Sequence, residues 1–138
     1  MKSGISFVGI DGARKNLAHD LLGWDFDEAR RKGRAQWDDA LSAIEIEGAT
    51  EDQKRIFYTA MYHAMIDPRA ISDADGNYTG TGGKTYVAAG YTPRTIFSGW
   101  DVFRGEFPLM TLLNATMVND EINSLLTLAE TSGKGYLE

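Results

Sequence analysis

Residues 68–99 constrain this chain more than any other stretch. They carry six glycines (76, 80, 82, 83, 90, 99), two prolines (68, 93) and no apolar residues at helical spacing. Pro68 forbids the continuation of any helix that reaches it. A connection this long is abnormal inside a compact domain unless it carries a binding site or a lid. The stretch reads as a long Gly-rich β-hairpin loop. Asp75-Gly76 is expected to be a type I′ hairpin turn flanked by Ile71 and Tyr78, and Thr85-Tyr86-Val87 and Thr95-Ile96-Phe97 are short strand candidates.

Helical signals lie on both sides of it. Asp25 and Glu28 have the spacing of a capping box, and Phe26, Ala29, Gly33, Trp37, Leu41 and Ile44 recur at three- and four-residue steps. This predicts an amphipathic helix over 25–46, closed by Gly48 as a left-handed cap. Thr50 and Gln53 repeat the capping spacing ahead of Phe57, Ala60, Met61, Ala64 and Met65, a second helix over 51–66. The short link makes the two an antiparallel hairpin. Beyond the loop, Ser98 and Asp101 open a segment over 99–114 that Pro108 kinks or restarts. Val118, Ile122, Leu125, Leu126 and Ala129 mark a last helix over 117–132. Ahead of all these, Ile5–Val8 predicts a short strand and Ala13–Leu22 a short helix closed by Gly23.

A chain of 138 residues has room for one sizeable core. Its net charge of −6 argues against nucleic acid and anionic membrane as partners, both of which need a basic surface. With no cysteine, disulfide scaffolds, Cys-ligated zinc and thiol nucleophiles are excluded together. The apolar run at Ile5–Ile10 is too short for a signal-peptide core or a membrane span.

No Walker loop, dinucleotide fingerprint, HExxH pair or nucleophile elbow is present. Asp73-Ala74-Asp75-Gly76 looks like part of a calcium loop, but residue 82 is Gly where the EF-hand pattern wants Glu, which favours an acidic turn. His63, beside Tyr62 and Met65, reads either as a ligand-facing polar group or as a hydrogen-bonded histidine inside a helix pair. The run Trp100-Asp101-Val102-Phe103-Arg104 opens a helix at the end of the long loop, and Asp101 and Arg104 share a face. Two readings stand side by side. One is a surface ion pair; the other is a carboxylate–guanidinium fork for adjacent sugar hydroxyls, with Trp100 as the apolar platform.

Five segments carry a family resemblance. Gly4-Ile5-Ser6-Phe7-Val8, Gly23-Trp24-Asp25-Phe26-Asp27, Arg55–His63, Ser72-Asp73-Ala74-Asp75-Gly76 and Gly99–Arg104 through Pro108-Leu109 resemble, in this order, the glycoside hydrolase family 92 α-mannosidases. The resemblance implies a β-sandwich followed by an (α/α)6 toroid, and calcium-dependent, exo-acting, inverting hydrolysis of α-mannosides. It implies that residues 1–23 are the strand and short helix of a linker after a missing sandwich, and that 24–138 are the first, incomplete part of the toroid. It also implies a longer parent that is secreted, periplasmic or on the cell surface. The general acid, general base and calcium ligands are expected beyond Glu138, so no catalytic or metal-binding role falls on this chain. Trp100, Asp101 and Arg104, with His63, are the expected substrate-binding residues.

The expected fold class is therefore mainly α, helical hairpins forming part of a toroid with a short N-terminal strand and a Gly-rich hairpin loop. The expected partners are an α-mannoside glycan, the remainder of the enzyme and, through the open apolar faces of Trp37, Phe57, Phe107 and Leu126, a second copy of the chain. The rival is a self-contained helical binding module whose stripes pack only with each other.

Overall fold

The computed structural model describes residues 1–95 and 98–136. It is mainly helical, and it divides into two compact units, one formed by residues 23–67 and the other by 1–22 with 68–136. Residues 1–22, within the stretch 1–23 expected to be a linker, pack with residues 68–136.

The helix α1 (Ile10–Asp20) precedes the 23–67 unit, which is a helical hairpin formed by α2 (Phe26–Leu41) and α3 (Glu51–Ala64). Asp25 caps α2 by accepting from the Glu28 backbone N–H at 3.0 Å. The reciprocal half of the box is missing because the Glu28 carboxylate turns to Arg31 and Lys32 instead. In α3 both halves form: Thr50 Oγ1 accepts from Gln53 N at 3.3 Å, and Gln53 Oε1 accepts from Thr50 N at 2.9 Å. Trp37 lies 4.5 Å, centroid to centroid, from Tyr62 across the hairpin. The expected 25–46 helix stops at Leu41, well short of Gly48. Ser42 Oγ donates to the Asp39 carbonyl, and Tyr58 Oη donates to the Ile44 carbonyl at 3.0 Å, holding the chain past the helix end outside helical geometry.

In the other unit, the strand expected at Ile5–Val8 does not form. Its polar groups are satisfied by side chains rather than by a neighbouring strand: Ile5 O accepts from Asn16 Nδ2, Phe7 O from Thr79 Oγ1, and Ser6 Oγ accepts from the Val8 and Gly9 N–H groups. The alternation survives, but Ile5 and Phe7 point outward. After α1, the long loop forms the two-stranded hairpin β1 (Asn77–Thr79) and β2 (Thr85–Val87), with Tyr78 opposite Tyr86.

The turn of this hairpin is at 80–84, not at Asp75-Gly76. A type I′ turn needs positive φ at both central residues, and among the described residues only glycines have it. Gly76, at φ +82°, instead closes a tight turn in which its N–H reaches Asp73 O at 2.9 Å and Asp73 N–H reaches Asn77 O at 2.7 Å. The strand expected at 95–97 lies partly outside the described residues. Thr95 N–H donates to Arg69 O, and Ile71 N–H to Pro93 O, so the two ends of the loop are bonded together.

The helix expected over 99–114 is two: α4 (Gly99–Val102) and α5 (Glu106–Leu113). The restart places Pro108 in the first turn of α5, where its missing N–H costs no helical bond. The last helix, α6 (Ala115–Thr131), is capped by Asn114 Oδ1, which accepts from Met117 N at 3.0 Å. Its buried residues are Met117, Val118, Asp120 and Glu121, so the inward face is rotated from the predicted stripe and Ile122 is left 46% exposed. Trp37 and Leu126 are exposed, and Phe57 and Phe107 half-buried. No helix among the described residues is long and apolar enough to cross a membrane.

Candidate functional site

The segment from Trp100 to Arg104 is presented by a single helical turn. Ser98 starts it through its backbone carbonyl, which accepts from Asp101 and Val102 N–H at 2.9 and 3.1 Å; the Ser98 side chain makes no cap. Trp100 is 79% exposed, and Asp101 and Arg104 are also open to solvent. Among the described residues no ion pair joins Asp101 to Arg104. The guanidinium carbon of Arg104 instead stands 5.7 Å from the centroid of the Phe103 ring, a cation–π contact that leaves the edge of the planar fork available. An indole, a carboxylate and a guanidinium thus sit on one short turn with their polar atoms uncommitted to each other. This is the equipment that a sugar subsite needs.

His63 belongs to the 23–67 unit. It is exposed near the C-terminus of α3, with its ring 5.8 Å from that of Tyr62.

Two buried carboxylates anchor the loop from which Trp100 emerges. Asp73 is 5% exposed. It accepts from Ser6 Oγ and Asn16 Nδ2 at 2.7 Å each, while Asn16 Oδ1 accepts from Ala74 N. Gly12 makes this approach possible, since a Cβ there would lie 2.0 Å from Asp73 Oδ2. Beside it Lys15 Nζ meets Asp75 Oδ2 at 2.6 Å, and that bond, together with those from Asn77, holds the Asp75 carboxyl down to about 2. The acidic turn therefore fastens α1 to the hairpin. Its donors are hydroxyl, amide and ammonium groups, which does not fit a calcium loop.

The second anchor is Asp120 on α6. Its Oδ1 accepts from Thr92 N at 3.0 Å, and its Oδ2 from Arg94 Nε and Nη2 at 3.3 and 3.2 Å; Arg94 Nη1 also donates to the Pro68 carbonyl. The adjoining Glu121 is 4% exposed. Burial first, and the charge of Glu106 second, push its carboxyl up to about 7 despite the opposing charge of Arg94. Sequence reasoning read Asp73 only as part of an acidic turn and missed Asp120 and Glu121. The available signal was a pair of acids at 120 and 121, two and three residues from Val118 on a helix with an apolar stripe.

Glu121 makes stability depend on pH in a definite direction. Its folded pKa lies above its ordinary value of 4.5, so the unfolded chain gives up the proton first, and stability present below that value is lost as pH rises through about 7. We expect the chain to be about 2 kcal/mol less stable at pH 8 than at pH 5 on account of this group, and Glu121→Gln to remove most of that difference. Urea melts of both proteins at the two pH values check it, and an unchanged slope in the variant would mean that Glu121 stays solvated.

Comparison with known proteins decides the family. The sequence model of the glycosyl hydrolase family 92 catalytic domain matches residues 12–138. The chain belongs to glycosyl hydrolase family 92. Among solved structures, this family 92 chain is similar to a GH92 α-mannosidase from Bacteroides thetaiotaomicron. The identity is 36% and the TM-score 0.86, over 91% of this chain and 17% of that one. A complex of the same enzyme with mannoimidazole gives a TM-score of 0.85. The GH92 glycosyl hydrolase ccman5 is 28% identical, with a TM-score of 0.85 over 94% of this chain and 18% of that one. A curated relative, an uncharacterized secreted glycosidase of Arthroderma benhamiae, is 33% identical over 70 residues, which is 48% of this chain and 9% of the relative. The chain thus spans less than a fifth of the length of each of these relatives.

Proposed function

We propose that this chain is the part of an exo-α-mannosidase that supplies contacts to the terminal mannose, within the first helical hairpins of an (α/α)6 toroid that follows a β-sandwich. The observation that carries the reading is the solvent-open Trp100-Asp101-Arg104 turn in a chain whose sequence matches the family 92 catalytic domain from residue 12 onward. The mannoimidazole complex of the Bacteroides relative supports a mannoside as ligand. In this role Trp100 packs against the apolar face of the ring. Asp101 accepts from a hydroxyl, and Arg104 donates to its neighbour.

An inverting hydrolysis needs two carboxyl groups about 6.5–9.5 Å apart, one protonating the leaving oxygen and one activating water. We place both beyond Glu138, with the ligands of a calcium ion. Among the described residues no three His, Asp or Glu side chains are grouped to hold a metal. Calcium in the parent enzyme would hold vicinal hydroxyls of the sugar; no step assigned to this chain depends on it. A parent exported from the cell is supported by the description of the Arthroderma relative as secreted.

The isolated chain should therefore hydrolyse no α-mannoside, with or without added calcium, as measured by release of a chromogenic aglycone. Turnover by the pure chain would mean that the acid and base lie within it. The open aromatic and aliphatic side chains Trp37 and Leu126 also predict self-association, or association with the rest of the enzyme, readable by light scattering. A monomer at high concentration would favour the self-contained module.

A further inference from the structure

A second site is carried by the hydroxyl groups of α6 and the hairpin. A cavity of about 270 Å³ lies between β1, the turn after β1, the 91–94 segment and α6, and its walls include Ile71, Tyr78, Thr81, Tyr91, Thr127 and Leu128. It is small for a ligand pocket, with room for one ring-sized molecule. Its walls are mainly apolar, and the hydroxyls it does contain run in a fixed direction. Tyr91 Oη donates to Thr127 Oγ1 at 2.9 Å. Having spent its one proton there, Tyr91 must be the acceptor in its 3.3 Å contact with Tyr78 Oη. Likewise Thr131 Oγ1 donates to the Thr127 carbonyl at 2.7 Å, so Thr81 must be the donor in the 2.9 Å pair that it forms with Thr131.

Among the described residues this accounting leaves the Thr127 hydroxyl proton unspent as a donor, and lone pairs on Tyr78 Oη and Thr81 Oγ1, among other hydroxyl oxygens of the wall, unspent as acceptors. A ligand that satisfies them needs both hydroxyl donors and a hydroxyl acceptor on a compact, partly apolar frame. It must also be neutral. The one charged wall residue among those described, Arg94, has its guanidinium committed to Asp120 and to the Pro68 carbonyl, so neither anion nor cation finds a counter-charge.

We propose that this cavity binds a single uncharged pyranose ring, as a sugar site formed by different residues from the Trp100 turn. The site rests on the mannosidase reading only for the supply of sugars, so its test removes Asp101 from consideration. The Asp101→Asn form of the 138-residue chain is titrated with methyl α-D-mannopyranoside, with cyclohexanol as a control for apolar shape and mannose 6-phosphate for charge. Chemical-shift mapping by NMR follows Tyr78, Tyr91 and Thr127.

Saturable shifts at these three residues, with the mannoside binding at least tenfold more tightly than either control, are expected. Thr127→Val should weaken binding about tenfold and Thr127→Ser should restore it. No saturable shift, equal binding of cyclohexanol, or an unaltered affinity in Thr127→Val would show an apolar or water-filled void and overturn the site. If Thr127→Val fails to fold, the shift map of the parent chain and the Thr127→Ser affinity decide alone. Loss of mannosidase activity on Asp101→Asn in the full-length enzyme tests the subsite separately.

Discussion

Asp120→Ala should cost the unit built from residues 1–22 and 68–136 about 3–5 kcal/mol, the range for breaking a buried ion pair from one side. Asp120 is 6% exposed and accepts three hydrogen bonds: one from the Thr92 backbone and two from Arg94. Truncation leaves a mostly buried guanidinium with only the Pro68 carbonyl and strands the Thr92 N–H. An unsatisfied buried donor costs about 1–3 kcal/mol by itself. Asp120→Asn keeps the volume and one acceptor, so its loss should be smaller and should fall mainly on the Arg94 side. Removing both charges with Arg94→Met and Asp120→Leu should recover part of the stability, since a buried pair replaced by apolar groups is often neutral. Urea denaturation followed by far-UV circular dichroism measures all three. A loss under 1 kcal/mol for Asp120→Ala would mean that water takes the place of the carboxylate.

The same residue shows why the last helix was only partly legible. A search for apolar residues at helical spacing finds Val118, Ile122, Leu125, Leu126 and Ala129, which places α6 correctly but finds only part of its inward face: Val118 is buried, whereas Ile122 and Leu126 are exposed. Asp120, Ser124, Thr127 and Thr131 follow one another at steps of four, three and four. They form a polar stripe that turns toward the loop. Ser124 Oγ accepts from Arg94 N at 3.0 Å, Thr127 from Tyr91, and Thr131 from Thr81. Outside the short β1–β2 ladder, a loop rich in glycine and proline has no regular partner for its backbone, so the helix beside it must offer side-chain partners.

That demand depends on tertiary structure and leaves no mark in local propensity. The helix starts behave differently. Thr50 with Gln53, and Asp25 with its acceptor role, act within four residues, and both were readable. The N-terminal strand failed for the opposite reason. Alternation at Ile5–Val8 is a local signal, but a strand also needs a neighbour, and the side chains of Asn16 and Thr79 arrive there instead.

Of the residues expected to bind substrate, Trp100, Asp101 and Arg104 could be grouped from spacing. What spacing left open was whether the acid and base pair with each other. Their separate dispositions bear on that question: Arg104 lies over Phe103, and the Asp101 carboxylate faces solvent. The structure brings these three onto one turn and sets His63 in a different unit.

Asp101→Asn in a full-length family 92 parent should lower kcat/KM for α-mannosides by well over tenfold, more than about 1.4 kcal/mol of transition-state stabilisation. Asparagine keeps the shape of the side chain and one carbonyl oxygen but loses the charge, and hydrogen bonds to charged acceptors are about twice as strong as neutral ones. The fold should be indifferent. The Asp101 side chain is exposed and, among the described residues, neither caps a helix nor joins an ion pair, and substitutions at such places usually stay within about ±0.5 kcal/mol.

Activity and stability are thus separable at this position, which makes the measurement decisive: kinetics and a thermal melt on the same preparation. An unchanged kcat/KM would reduce Asp101 to a favourable charge in the first turn of α4. Arg104→Lys sharpens the result. Lysine keeps the positive charge but loses the planar two-donor fork, so a fall in kcat/KM comparable to that of Asp101→Asn identifies geometry rather than charge as what the guanidinium supplies. Full activity in Arg104→Lys would leave Asp101 and Trp100 to hold the sugar without it.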